Sequence, residues 1–161
     1  MEPVSHNDNY VRIKTHEPVE ICHVVDISLK RAKDRFFLKN VSITKSYTPG
    51  HFVRGNAEKL ALAFLNIIIN AIESMQNSEG KLWVAVYRTE EDIKVVFKDN
   101  GSGMDPELAS RIFESGFSNK PGGFGIGLTH VKDILDEHRA SVTVVSKSGT
   151  GTSVILTFNA L

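Results

Sequence analysis

The chain has 161 residues, which is enough for one domain of ordinary size and too few for two. Its hydrophobic fraction of 41% is normal for a globular domain with a real core. The 19 basic side chains balance 19 acidic ones, so we expect no broad attraction to nucleic acid or to membranes, although a local charged patch is compatible with this balance. The single cysteine, Cys22, excludes an internal disulfide framework and fits a reducing compartment.

The chain carries no sequence signal for secretion or for a membrane span. Its apolar runs are far shorter than the roughly 20 residues that cross a bilayer, and its N-terminal residues lack the pattern of a signal peptide. We therefore expect a cytoplasmic protein, or the cytosolic part of a larger, membrane-tethered one. Residues 1–18 have little apolar pattern and are predicted to be a linker or tail, whereas residues 19–161 are predicted to form one domain.

The first half of the domain is predicted to contain two helices and two extended segments. Apolar residues recur at helical spacing over residues 20–36, and residues 41–45 alternate as in a strand. A turn at residues 49–50 leads to a short extended piece at 51–54. Asn56 is a suitable N-cap for a long helix. Its apolar face is predicted from Ala61, Phe64, Leu65, Ile68, Ile72 and Met75.

The second half is predicted to contain two hairpins with helices between them. Alternating residues near 82–86 and 93–97, joined by a polar link, predict an antiparallel hairpin, and 141–146 with 152–158 predict another. Pro106 suits the first position of a short helix that runs to Phe113. The glycine-rich segment 114–125 is predicted to be a mobile loop, and a further helix follows it. The sum predicts an α+β fold, with a mixed sheet and helices layered on one face.

Two asparagines mark the polar edge of the long helix. Asn66 and Asn70 are four residues apart, which places both amides on one face, with Glu73 near the next turn. Mg²⁺ prefers oxygen ligands and usually keeps waters and substrate phosphates, so a neutral amide oxygen is a suitable protein ligand. The alternative is that both asparagines hydrogen-bond locally within the helix.

Two glycine-containing segments supply further polar features. Asp99 ends a strand and precedes Asn-Gly-Ser-Gly, so its carboxylate is placed to accept a hydrogen bond from an exocyclic amine such as that of adenine; the alternative is an ordinary tight turn. Residues 122–128 open a helix with a glycine cluster, whose bare amides favour phosphate. This cluster is neither a Walker A loop nor the dinucleotide fingerprint, because the spacing and flanking residues differ.

Taken together and in this order, these runs resemble the GHKL superfamily of ATP-binding domains, and within it the bacterial sensor histidine kinases. The similar runs are NIIINAIESM, DNGSGM, RIFESGFSNK, GGFGIGLTHVKDIL and SKSGTGTSVILTF, and the resemblance covers about residues 17–159. It implies a two-layer α/β sandwich with a mobile lid over the nucleotide, and ATP with Mg²⁺ as cofactors.

The resemblance also implies a role for individual residues. Asn70 is similar to the magnesium-binding asparagine, with Asn66 assisting at the metal or its waters, and these two are the implied catalytic residues. Asp99 is similar to the aspartate that reads adenine. Further implied nucleotide contacts are Glu73, Gly101, Gly103, Met104, Phe113, Lys120, Gly123, Gly125, Ile126, Gly127, Leu128 and Thr152, while Phe113 and Phe117 resemble aromatics that anchor the lid.

The resemblance implies a kinase and not an ATPase. Relatives that hydrolyse ATP carry a glutamate four residues before the metal asparagine, where this chain has Asn66, and a neutral amide is no general base at neutral pH. The implied function is transfer of the γ-phosphoryl group of Mg-ATP to a histidine. The alternatives are a nucleotide-sensing binding module without catalysis and an anti-sigma-type serine kinase.

The phosphorylated histidine is not evident in this chain. His16-Glu17 resembles an acceptor pair, but Pro18 would disrupt a continuing helix. We therefore expect the acceptor histidine on a separate dimerisation module that is missing here, with a response regulator as the further partner. Neither nucleic acid nor membrane contact is expected of this segment.

Overall fold

The computed structural model describes residues 17–76, 79–114 and 126–161. The strands among these residues are β1 (Glu17–Glu20), β2 (Ser42–Ser46), β3 (Phe52–Gly55), β4 (Lys81–Arg88), β5 (Asp92–Asp99), β6 (Ser141–Lys147) and β7 (Gly151–Asn159). The helices are α1 (Ile21–Arg31), α2 (Lys33–Lys39), α3 (Ala57–Ser74), α4 (Pro106–Arg111) and α5 (Ile126–Glu137). None of these helices is both long and apolar enough to span a bilayer.

Five strands form the main sheet in the order β2-β4-β5-β7-β6. Strand β2 runs parallel to β4, and the other three pairs are antiparallel, which confirms the predicted mixed sheet. Both predicted hairpins are present, as β4–β5 and β6–β7. The register pairs Lys98 with Ser153 and Ser146 with Thr152, so β5 and β6 end, and β7 begins, at the same end of the sheet.

The core lies between one face of this sheet and helices α1, α3 and α5. Alternate residues of β4 and β5 are fully buried, as the period of a half-covered strand requires. Phe64 of α3 packs on Phe97 and Phe158 of the sheet, with ring centroids 5.6 and 6.3 Å away. This layered arrangement confirms the predicted α+β fold.

Two predicted helix starts are confirmed by their hydrogen bonds. The Asn56 side chain accepts from the N–H of Lys59 at 3.0 Å and caps α3. Asp105 caps α4 in the same way through the N–H of Leu108 at 2.9 Å, and Pro106 occupies the first helical position. Both ends were visible in the sequence because capping is a local interaction.

Three boundaries differ from the sequence prediction. Helix α4 ends at Arg111, two residues before the predicted end at Phe113. The helical pattern of residues 20–36 is divided at Ala32 into α1 and α2, although the buried residues continue the same face. Glu17 and Pro18, predicted to belong to the tail, lie in β1, which pairs with β3 in a separate two-stranded sheet. Strand β1 is only four residues long, too short for an alternating pattern to reveal it.

Substitution of two glycines in the β6–β7 turn tests how closely the main chains approach each other. Gly149 and Gly151 both have positive φ, 79° and 138°, which costs a residue with a side chain about 1–3 kcal/mol. A Cβ at Gly149 would enter open space, whereas a Cβ at Gly151 would overlap the carbonyl oxygen of Asp99. We expect Gly151→Ala to lower the urea midpoint clearly more than Gly149→Ala does. Equal losses would contradict the close approach of β7 to Asp99.

Candidate nucleotide-binding site

Asp99 is a buried carboxylate at the end of β5, with 7% of its surface exposed. Its Oδ1 accepts hydrogen bonds from the N–H of Gly101 at 2.8 Å and of Thr152 at 3.3 Å. Burial raises the pKa of Asp99 above its ordinary value, although these two N–H groups and the Ser74 hydroxyl act in the opposite direction. The side chain is therefore held in one orientation by the main chain while its charge remains poorly solvated.

The loop after Asp99 packs against the C-terminal end of α3. The N–H of Ser102 donates to the carbonyl of Ser74 at 3.0 Å. At Gly101 a Cβ would overlap the Ser74 hydroxyl, so this position requires glycine. The Ser74 hydroxyl lies 2.7 Å from the carbonyl of Ala71 and is also a hydrogen-bond partner of Asp99. Its single proton can be donated to only one of these two acceptors at a time. The end of the long helix and the glycine loop are thus in direct contact.

A second set of contacts joins the same loop to β6 and β7. Gly103 has φ 65°, and a Cβ there would overlap the carbonyl of Lys147. The N–H of Met104 donates to the Ser146 hydroxyl at 2.8 Å. That hydroxyl lies 2.7 Å from the Thr152 hydroxyl and 3.1 Å from the carbonyl of Gly151. The residues predicted to contact adenine therefore lie together at the end of the sheet where β5 and β6 end and β7 begins.

Helix α3 also contacts the first turn of α5. The side-chain amide of Asn66 donates to the carbonyl of Gly127 at 3.5 Å. Asn70 is half-buried one turn further along α3, and Glu73 is exposed near the helix end. The Thr129 hydroxyl donates to the carbonyl of Glu114 at 3.3 Å, which links α5 to the segment after α4. The asparagine edge of α3 and the glycine-led helix are therefore brought together.

The structure brings seven of the predicted residues into these two regions. The first region, at the end of the sheet, contains Asp99, Gly101, Gly103, Met104 and Thr152. The second region, at the contact of α3 with α5, contains Asn66 and Gly127. The side chains of Phe113 and Leu128 are partly buried against the core. Lys120, Gly123, Gly125 and Phe117 lie outside the described residues, as does the side chain of Ile126, so their roles stay predictions.

Sequence reasoning missed the contribution of Ser146 and gave Ser74 no role. Ser146 occupies the last inward position of β6, after Val142 and Val144, and the hairpin register sets it opposite Thr152. The alternation of β6 was a usable signal, because a polar residue at an inward position needs a partner. Ser74 gave no comparable signal, since its neighbours come from a distant loop.

A separate groove of about 330 Å³ lies beside the N-terminal ends of α1 and α3, lined in part by Glu17, Glu20 and Glu58. The Glu20 carboxylate accepts from the N–H of His23 at 2.8 Å, and Glu58 pairs with Arg31 at 3.1 Å. Helix α3 is 18 residues long, or about 27 Å, so this groove lies far from Asp99. At that end of the molecule Glu20 caps α1 and Glu58 forms an ion pair, so both carboxylates have a structural role.

Comparison with known proteins gives concordant results. The sequence model of the family described as "Histidine kinase-, DNA gyrase B-, and HSP90-like ATPase" matches residues 55–161. Sporulation kinase C of Bacillus subtilis is 32% identical over 143 residues, which cover 88% of this chain and 32% of that protein. The chain spans between 18% and 32% of the length of such curated relatives.

Solved structures share the fold. A mycobacterial sensor histidine kinase, MprB, superimposes with a TM-score of 0.81 at 28% identity, covering 90% of this chain and 97% of that one. Full-length ShkA in complex with AMPPNP has a TM-score of 0.80 at 20% identity, covering 90% of this chain and 31% of that one. The second likeness concerns the fold alone.

Asp99→Asn separates the cost of the buried charge from its role in binding. Because the folded state raises the pKa of Asp99, the folded state binds a proton more tightly than the unfolded chain, and ionisation at neutral pH lowers stability. The neutral variant should therefore unfold at an unchanged or higher urea concentration. Its ATP affinity should fall at least about 10-fold, since an amide group would face the adenine amine.

Isothermal titration calorimetry with ATP and urea unfolding measured on Trp83 fluorescence check both expectations. Asp92→Asn, at the start of the same strand, is the matched control and should leave ATP affinity unchanged. An unchanged ATP affinity in Asp99→Asn would remove this carboxylate from the adenine site.

Proposed function

This chain belongs to the family of histidine kinase-, DNA gyrase B- and HSP90-like ATPases, and from this premise we propose that it is the ATP-binding catalytic domain of a sensor histidine kinase. In this proposal it transfers the γ-phosphoryl group of Mg-ATP to a histidine on a separate dimerisation module. The observation that carries the proposal is the position of α3, which contacts the Asp99 loop at its end and the glycine-led helix α5 through Asn66. One bound nucleotide would touch both regions.

The Asp99 end of the site suits an adenine base. Two main-chain N–H groups hold Oδ1 of Asp99, so the carboxylate is oriented before a ligand arrives and little entropy is lost on binding. A buried acceptor favours a ligand that offers an amine and disfavours one that offers a carbonyl. Adenine presents an amine at that position, whereas guanine presents a carbonyl, so the site is proposed to select ATP over GTP.

The asparagine end suits a magnesium ion and phosphates. The side-chain nitrogen of Asn66 donates to the carbonyl of Gly127. The side-chain oxygen, the atom that would bind a cation, takes no part in that contact. Asn70 follows one turn later on the same edge of α3. A bound magnesium ion would neutralise charge on the phosphates during transfer. The N-terminal end of α5 adds main-chain N–H groups that favour the same phosphates.

Asn66 is the reason to propose phosphoryl transfer over hydrolysis. A neutral amide does not remove a proton from water at neutral pH, and no acidic residue occupies the position one turn before Asn70. Catalysis of phosphoryl transfer depends mainly on positioning and on charge stabilisation. The site is therefore proposed to hold the γ-phosphoryl group until an acceptor side chain reaches it.

The acceptor is proposed to lie outside this domain. Among the described histidines, His138 is occupied structurally: it accepts from the N–H of Asn56 at 3.0 Å through Nε2 and donates to the carbonyl of Ile134 at 2.7 Å through Nδ1. His23 and His130 are exposed on α1 and α5, and His51 is half-buried. None of these three is followed by the acidic residue that usually follows the acceptor histidine in the family. A dimerisation module that carries the phosphorylated histidine, a response regulator and a cytoplasmic location complete the proposal.

Phosphate transfer to a supplied acceptor tests the proposal directly. We expect this chain, given ATP and Mg²⁺, to place phosphate on the dimerisation module of a relative such as sporulation kinase C. Phosphohistidine is labile in acid and stable in alkali, so radiolabelled phosphate should be lost on acid treatment. Asp99→Asn is the inactive reference, and the assay with GTP in place of ATP should yield much less product.

Each other outcome of that experiment contradicts the proposal in its own way. Label that survives acid and maps to serine would indicate a serine kinase. Binding of a partner that depends on ATP, with no label transferred, would indicate a nucleotide-sensing module.

Asn70→Ala and Asn70→Asp separate a metal ligand from a local helix contact. The alanine variant should lose the increase in ATP affinity that Mg²⁺ provides, by about 10-fold or more, because an oxygen ligand is removed. The aspartate variant keeps an oxygen and should retain metal dependence. Asn159→Ala, at the far end of β7, is the matched control. A magnesium titration of ATP binding that is unchanged in Asn70→Ala would exclude Asn70 as a ligand.

A further inference from the structure

Helix α2 exposes the two most solvent-accessible large hydrophobic residues of the described chain. Phe37 is 85% exposed and Leu38 is 81% exposed, whereas the next in rank, Val145, is 59% exposed. Phe36, the preceding residue, is the only buried member of the helix. Helix α2 is therefore anchored by one aromatic ring and presents two apolar side chains to solvent.

Basic side chains surround this apolar pair. Residues 30–39 contain five basic residues and a single acidic one, Asp34, in a chain whose net charge is zero. Helical geometry places Leu38 nearly opposite the inward Phe36 and Phe37 about 100° from it, with Asp34 between the two on the exposed face. Lys33 lies on one flank of this face, and Arg35 and Lys39 lie on the other. Arg31 pairs with Glu58. The neutral average of the sequence therefore conceals a local positive patch.

We propose that α2 binds an anionic lipid surface, with Phe37 and Leu38 inserted among the head groups and Lys30, Lys33, Arg35 and Lys39 facing the lipid charges. Interfacial helices combine an apolar centre with lysine and arginine flanks in this way. The sequence prediction of no membrane contact rested on the zero net charge and on the short apolar runs. The proposal departs from that prediction because the charge on α2 is unevenly distributed.

A lipid surface fits α2 better than a protein partner does. Lysine is depleted in protein–protein interfaces, yet three of the four basic residues proposed to face the lipid are lysines. The two apolar side chains project into solvent near the C-terminal end of a seven-residue helix. A fluid head-group region accepts such a projection without a preformed pocket. A second copy of the chain is disfavoured because the two patches would carry the same charge.

Sedimentation with lipid vesicles tests the proposal. We expect the chain to bind vesicles that contain phosphatidylglycerol and not vesicles of phosphatidylcholine alone, and added salt should weaken the binding. The double variant Phe37→Ser/Leu38→Ser should lose binding at least 10-fold. The matched control Tyr87→Ser/Val145→Ser removes exposed apolar residues from the outer face of the sheet and should bind as the original chain does.

A gain of function makes the test sharper. Asp34→Asn removes the single acidic group from the patch and should strengthen binding about five-fold, the effect of one charge near an anionic surface. All variants alter exposed residues, so thermal unfolding by circular dichroism should show that they fold.

Three results would overturn the proposal. These are no binding to anionic vesicles, equal binding by the Phe37→Ser/Leu38→Ser variant, or a concentration-dependent dimer that this variant abolishes in the absence of lipid. The last result would assign α2 to an interface between two copies of the chain.

Discussion

The packing of α3 on the sheet is the contact on which the rest of the structure depends. Phe64 lies against Phe97 and Phe158, and the same helix face buries Leu60, Ile67 and Ile68. Loss of one such aromatic side chain typically costs about 3–5 kcal/mol, a large part of the stability of a small domain. The same contact fixes the rotation of α3 about its axis, and hence the direction of its polar edge.

That single rotation serves both ends of the site. With its apolar face on the sheet, α3 directs Asn66 towards Gly127 in α5 and brings Ser74 to the loop after Asp99. A helix has 3.6 residues per turn, so shifting the sequence of α3 by one residue would rotate both contacts by about 100° around the helix axis. One rigid element thus links the packing of the core to the geometry of the proposed nucleotide site.

Asp99 shows a conflict between stability and binding that is usual at functional sites. Burial raises its pKa, because an ionised carboxylate loses solvation that two N–H groups and a hydroxyl do not fully replace. The carboxylate already accepts from the N–H groups of Gly101 and Thr152. A further donor from a ligand would offset the remaining loss of solvation, which fits the proposed nucleotide site.

Local interactions in the sequence determined much of this protein. The alternation of β4, β5 and β7, the cap at Asn56 and the proline at the start of α4 were predictable, since each depends on residues close in the chain. The spacing of Asn66 and Asn70 and the position of Asp99 likewise identified the candidate residues, and the resemblance to a known family gave them roles.

Tertiary structure alone decided what those residues contact. Strand β1 is stabilised by pairing with β3, about 35 residues later in the chain. The division of α1 from α2 falls at Ala32, and alanine has the highest helix propensity, so propensity does not explain it. Ser146 joined the site because the β6–β7 register set it beside Thr152. Net charge was known from the sequence, but the grouping of lysines around Phe37 became visible only once α2 had a buried face. Long-range pairing and burial have no local signal, so composition and spacing could not determine them.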